Sequence, residues 1–299
     1  MAKINIINGK GIIPVGTETI EYEMIMGDTT LVDIAIPDTV LFIGMQAFKG
    51  CTSLRKIELP QSVNYIDSSA FEGCASLKRI DLPAGIKGID RALFRNCSSL
   101  EGIVIPEGVK SISEWAFSGC SRLSWVSLPK SLESIEMEDE TFNGCDLDDI
   151  TIHPDNKYYS VKGNCLLSGD GTTLIRGCNG SVIPGTVKEI GPNAFSGCTR
   201  LEGIVIPGSV ECIGCKAFEG CTSLKSIVIP KTVGSICEYA FSGCSSLADI
   251  VIDKESTEFN SSNSFRGCPN AKRDGLYDNV IDTLVTLIET AEKEINDTL

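Results

Sequence analysis

Six prolines stand 23 residues apart: Pro14, Pro37, Pro60, Pro83, Pro106 and Pro129. Pro184, Pro207 and Pro230 resume the same step. A fixed period of this length means stacked supersecondary units, none able to bury its apolar face without a neighbour. One unit, Leu54 to Ile80, reads LRKIELPQSVNYIDSSAFEGCASLKRI. Aligned with the others it gives L-x-x-I-x-L/I-P-x-x-V-x-x-I-x-x-x-A-F-x-G-C. The chain is therefore read as a mainly β repeat solenoid.

Each column has a physical reason. L-x-x-I-x-I begins at Leu31, Leu54, Leu77, Leu100, Leu123, Leu201, Leu224 and Leu247, and its end alternates like a strand with one buried face. Proline closes that strand because it donates no ladder hydrogen bond. The V-x-x-I step, as in Val63 with Ile66 or Val210 with Ile213, turns a second apolar edge inward on the opposite wall. One column holds Phe48, Phe71, Phe94, Phe117, Phe142, Phe195, Phe218, Phe241 and Phe265, nine of the eleven phenylalanines. In register they make an aromatic spine, and truncating a central ring is expected to cost about 3–5 kcal/mol. The next column is glycine throughout except for Asn96, the residue type after glycine most tolerant of positive φ, which implies a left-handed corner.

Cysteine follows that corner at 51, 74, 97, 120, 145, 198, 221, 244 and 268. A reactive thiol needs an electropositive setting, and no column of cations accompanies this one. These cysteines are read as reduced, small, polarizable core residues. The units IPDTVLFIGMQAFKGCTSLRKIELP and IPGSVECIGCKAFEGCTSLKSIVIP resemble leucine-rich repeats of the BspA-like subclass, over about residues 14–270. The resemblance implies a leucine-rich-repeat superhelix with a parallel concave sheet, and short strands and turns on its convex side. It also implies an interaction function, adhesion or partner binding, typical of secreted or cell-surface bacterial proteins. Against that location, the opening MAKINIINGKGIIPVGTETI carries no continuous apolar stretch or cleavage site, and no surface-anchoring segment is read.

The expected organisation is a degenerate N-terminal capping repeat at 1–36, with Ile20, Ile25 and Leu31 in core columns, and repeats at 37–153. An irregular hairpin-type repeat at 154–183 follows, then repeats at 184–270. Turn chemistry at Ser168–Gly171 marks the hairpin, read as a coil variant or as a protruding binding element. In 271–299, Ile281, Leu284, Ile288, Ala291 and Ile295 recur at helical spacing. This C-terminal α-helix caps the solenoid or pairs two chains, so the oligomeric state is read as monomer or helix-mediated dimer.

A net charge of −14 argues against nucleic acid, and no apolar run reaches the length of a membrane span. No cofactor or metal is read, and the chain is not read as an enzyme. The sole histidine, His153, has no triad around it, and Cys212-Ile-Gly-Cys215 lacks a redox fold or a nameable fourth zinc ligand. The outward positions of L-x-x-I-x-I supply the candidate binding face: Arg55, Lys56, Lys78 and Arg79, then Trp125, then a stripe of outward valines, Val205, Val228 and Val251. Trp and Arg are common interface anchors, although β-branched residues also simply favour strands. The expected partner is a protein, with a glycan stacking on Trp125 as an alternative, and a spacer assembling through the C-terminal helix as another.

Overall fold

A computed structural model describes residues 4–136, 140–252, 258–259 and 263–269. The expected C-terminal helix lies outside the described residues. The chain forms a β-solenoid of about 10 turns, divided into two compact units. Unit 1 comprises Met1–Leu147 with Thr151–Tyr158, and unit 2 comprises Asp148–Ile150 with Tyr159–Leu299.

In unit 1 the L-x-x-I-x-I segments build a first sheet. Lys10–Ile12, Asp33–Ala35 and Lys56–Glu58 run parallel, as do Gly102–Val104 and Trp125–Leu128. The V-x-x-I segments build a second sheet of two-residue strands, among them Thr19–Ile20, Phe42–Ile43 and Tyr65–Ile66. Between the sheets lie the buried Leu, Ile and Val of both motifs, with the Phe and Cys columns. The rings of Phe48, Phe71, Phe94, Phe117 and Phe142 stack at 5.3–5.7 Å, offset pairs that add to their burial. Ile20, Ile25 and Leu31 fill the same core in the degenerate first repeat.

The corner carrying A-F-x-G-C joins successive coils through alternate N–H groups. Phe48 N–H donates to the Ala70 carbonyl at 2.8 Å and Gly50 N–H to Glu72 at 2.7 Å, while Lys49 and Cys51 N–H close turns within their own coil. The expected left-handed column is present, Gly50 at φ 74°, Gly73 at 73° and Asn96 at 60°. A second left-handed column precedes the Ala-Phe pair: Gln46, Ser69, Ala92 and Trp115 at φ 53–59°. A non-glycine residue there costs roughly 1–2 kcal/mol. The offset comes from inter-coil bonds that this geometry permits, such as Ser69 N–H to Arg91 O at 2.9 Å.

Every cysteine of the column in unit 1 aims its thiol at a carbonyl of the preceding coil. Cys74 Sγ donates to Phe48 O at 3.2 Å, Cys97 to Phe71 at 3.1 Å and Cys120 to Phe94 at 3.0 Å. Burial pushes Cys51 up to about 11 and Cys97 up to about 12, which keeps the donor proton in place. So the column is buried as expected, and it also carries a hydrogen bond that no alkyl side chain replaces.

The first coil holds a feature absent from the sequence reading. Asn5–Ile7 and Lys10–Ile12 form an antiparallel hairpin about Asn8 and Gly9, both at positive φ, and its second strand continues the first sheet.

Unit 2 opens with an antiparallel meander. Tyr159–Lys162 pairs with Cys165–Ser168, which pairs with Thr173–Gly177 across the Ser168–Gly171 turn. The last strand then runs parallel to Glu189–Ile190, followed by Cys212–Ile213 and Ser235–Ile236. The irregular segment is thus integral to the second sheet of its unit. Ser226–Ile229 and Asp249–Ile252 pair in parallel as the first sheet, and Phe195, Phe218, Phe241 and Phe265 stack at 5.0–5.1 Å.

Among the described residues of unit 2 one charge is buried. Arg176, 1% exposed, donates through Nη1 to the carbonyls of Asn193 and Ser196, each at 3.0 Å. In regular coils the carbonyl equivalent to Ser196 accepts the N–H of the preceding glycine corner, as Glu219 accepts from Gly197 at 2.8 Å. The meander has no such corner, and the guanidinium takes its place. Beside it Gly177 N–H donates to Ala194 O at 2.8 Å, the bond a phenylalanine makes elsewhere. A Cβ on Gly177 would meet the Phe195 ring at 2.0 Å, so only glycine lets the ring close the stack against backbone.

Candidate interaction face

Arg55, Lys56, Lys78 and Arg79 of unit 1 are all exposed, on two successive coils; Lys56 lies in a strand of the first sheet, whereas the L-x-x-I-x-I segment carrying Lys78 and Arg79 forms no strand. Two of the four cations are engaged. Lys56 contacts Glu58, which raises the lysine and lowers the carboxylate, and Arg79 lies 3.7 Å from Glu101. Such exposed pairs contribute little to stability. Among the described residues no carboxylate pairs with Arg55 or Lys78.

Trp125 stands two coils further on, 42% exposed and paired in register with Gly102. Its indole covers the Gly102 backbone, since a Cβ on that glycine would lie 2.0 Å from the ring. Val104, two residues along from Gly102, is 57% exposed and faces the same side. It is not among the candidate residues expected from the sequence. The preceding coil supplies the backbone platform and the next coil supplies the ring, so the anchor is held without a dedicated loop.

The three valines belong to unit 2. Val228 and Val251 pair in register, and Val205 lies in a coil whose L-x-x-I-x-I segment forms no strand. All three are half-buried, less open than the outward stripe expected of them. Alternation fixes which way a strand residue points, and its neighbours one coil away decide how much of it stays uncovered.

Other candidate chemistry resolves into structure. His153 sits exposed in a turn, its Nδ1 accepting Asp155 N–H at 3.2 Å. Cys215 is exposed, and Cys212 and Cys237 half-buried, with Ser235 Oγ donating to Cys212 Sγ at 3.2 Å. Among the described residues no group of three or more His, Cys, Asp and Glu is placed to hold a metal ion, and no helix is long and apolar enough to cross a membrane.

Two further groups, one half-buried and one exposed, are not among the residues expected from the sequence. Trp115, on the A-F-x-G-C corner, is flanked by Arg91 and Arg95 with guanidinium carbons 4.5 and 5.1 Å from the ring centre. On the second sheet Tyr22, Leu41, Met45 and Tyr65 are exposed together. Comparing each outward column from coil to coil is the signal that finds them.

The sequence profile of the BspA type leucine rich repeat region matches residues 18–148, 87–168 and 177–282. No curated protein sequence matches significantly. Among solved structures, a leucine rich cell surface protein of Faecalibacterium prausnitzii is similar at 29% identity, over 81% of this chain and 78% of its own, with a TM-score of 0.62. A leucine-rich repeat protein of Eubacterium ventriosum shares the fold at 21% identity and TM-score 0.60, over 88% of this chain and 65% of its own. The pneumococcal vaccine antigen PcpA does so at 23% and 0.65, over 81% and 61%. The chain thus spans less than two thirds of the length of the latter two.

Proposed function

The chain belongs to the family of BspA-type leucine-rich repeat regions, and from that premise we propose that it is a non-catalytic scaffold recognising a protein partner at a cell surface. Likeness to a cell surface protein supports the location. In unit 1 the recognition surface is the outer side of the L-x-x-I-x-I segments, with Trp125 as anchor and Arg55, Lys56, Lys78 and Arg79 as its polar flank; in unit 2, Val205, Val228 and Val251 offer a separate contact.

The observation that carries this reading is the Trp125–Gly102 arrangement. A large amphipathic ring is held exposed on a rigid ladder, so binding through it orders little that is not already ordered. Aromatic anchors of this kind dominate interface energetics.

Panning a random peptide display library against the full chain tests the proposal. Ligands selected on the wild type should weaken by about tenfold or more on Trp125→Ser, those that use the unit 2 contact should weaken on Val228→Ser, and both losses should appear in the double variant. Selected ligands that bind the double variant undiminished would refute it, and a glycan array that alone yields hits would move the reading to carbohydrate.

A further inference from the structure

A repeat protein carries its own control for surface composition, because each outward position recurs in every coil. On the second sheet of unit 1, Phe42 and Tyr65 open their strands, whereas the next coils place Gly88, Ser111 and Ser134 there. Leu41 is followed by Asn64, Lys87 and Lys110, and Met45 by Ser68, Arg91 and Glu114. Solvation or strand propensity would act alike on every coil. The apolar side chains are instead confined to the first coils of the sheet.

Tyr22, Leu41, Met45 and Tyr65 are each between 40% and 53% exposed, with Phe42 half-buried among them. The cluster is preorganised. The Phe42 and Tyr65 rings stack at 5.2 Å, and the Tyr65 hydroxyl donates to Asp90 Oδ2 at 2.6 Å. A contiguous exposed apolar patch of this kind marks an interaction site.

Charge around the patch has one sign. Glu21 and Glu23 flank Tyr22, and Asp67 and Asp90 flank Tyr65. Nearby cations are turned elsewhere: Lys49 pairs with Glu72 at 2.9 Å, Arg91 pairs with Glu114, and the Lys87 ammonium lies against Gly108 on the following coil. An apolar centre with an acidic rim is complementary to apolar side chains flanked by Lys or Arg.

We infer that this part of the second sheet is a second interaction surface, shaped for a cationic amphipathic segment of another protein. It lies on a different sheet from Trp125 and stands independently of that face. Five side chains suit a short segment, and contact of that size gives weak, transient binding. The acidic rim disfavours an anionic membrane surface.

The probe is a short fluorescein-labelled amphipathic Lys/Leu peptide, titrated by anisotropy against the full chain, with a Glu/Leu counterpart. The Lys/Leu peptide should lose about tenfold in affinity on Leu41→Ser/Met45→Ser and about threefold on Glu21→Gln/Glu23→Gln, while the Glu/Leu peptide stays unbound. Hydroxyl-radical footprinting on the wild-type chain should show Met45 and Tyr65 protected by the peptide with the oxidation rate of Trp125 unchanged. Equal affinity for the Leu41/Met45 variant, equal binding of the Glu/Leu peptide, or protection at Trp125 in place of Met45 would overturn the inference. So would protection of Met45 by phosphatidylcholine vesicles alone, which would make the patch a lipid contact.

Discussion

Replacing Arg176 by Met tests whether a side chain has substituted for a missing turn of backbone. The guanidinium holds two buried carbonyls at 3.0 Å, and the one on Ser196 is served in other coils by a backbone N–H. Hydrogen bonds from a charged donor are worth about 1.5–3 kcal/mol each, so losing both removes roughly 3–6 kcal/mol. Relief from burying a cation returns part of that, and Met refills most of the volume, leaving a net loss of about 3 kcal/mol. On a urea slope of about 2 kcal/mol/M the midpoint for unit 2 falls by roughly 1.5 M. Both tryptophans lie in unit 1, so far-UV circular dichroism and hydrogen exchange over residues 189–201 are the readouts. Arg176→Lys should recover part of the loss, because both carbonyls are held by the one nitrogen Nη1 and an ammonium that reaches them carries three donors. Unchanged exchange protection in the Met variant would show that the carbonyls need no donor, and the substitution argument would fail.

Four further outcomes follow from particular contacts. In native protein near neutral pH, Ellman's reagent should label Cys215 promptly and Cys212, Cys237 and Cys268 more slowly, leaving the ten buried thiols unmodified; prompt labelling of most of the fourteen would contradict the thiol–carbonyl bonds. Since burial raises Cys51 to about 11 and Cys97 to about 12, their stabilisation is complete below the ordinary thiol pKa of 9.0 and is lost as pH rises through the raised values, so alkaline unfolding should steepen toward pH 11–12. Burial likewise raises Asp90 above 3.8, with the neighbouring Asp67 adding to it against the opposing Tyr65 bond, so its favourable contribution is present at acid pH and lost above; Asp90→Asn should raise Tm at neutral pH by an amount that vanishes in acid, and a constant difference would refute the cause. Gly102→Ala must displace the indole of Trp125, so in a Trp115→Phe background the emission should shift to the red with stability changed by less than about 1 kcal/mol, and an unshifted spectrum would deny the contact.

Much of the fold was legible because the repeat forces equivalent residues into equivalent environments. Phe94 could be assigned to a stacked spine from spacing alone, and Asn96 revealed the left-handed corner by standing where glycine stands in the other coils. The N-terminal hairpin carries a sequence signal too, since Asn8-Gly9 is a strong two-residue turn signal, but it lies ahead of Pro14, where the proline period starts. The second left-handed column could not be read. Gln46, Ser69, Ala92 and Trp115 share no side-chain preference, because bonds between coils impose that conformation. For the candidate face, strand alternation placed Trp125 outward, but it said nothing of the bare backbone beneath the ring or of the partial covering of Val205, Val228 and Val251.

The sequence by itself determined the architecture: which residues point inward, where each strand closes and where the corners turn. Those properties depend on residue type at a fixed period. Only the tertiary structure decided how Arg176 serves an absent corner, how Gly102 seats Trp125, and how Tyr22, Leu41, Phe42, Met45 and Tyr65 meet in one patch. Each of these depends on groups from neighbouring coils, separated along the chain by 17 residues or more, whose contact exists only once the coils have stacked.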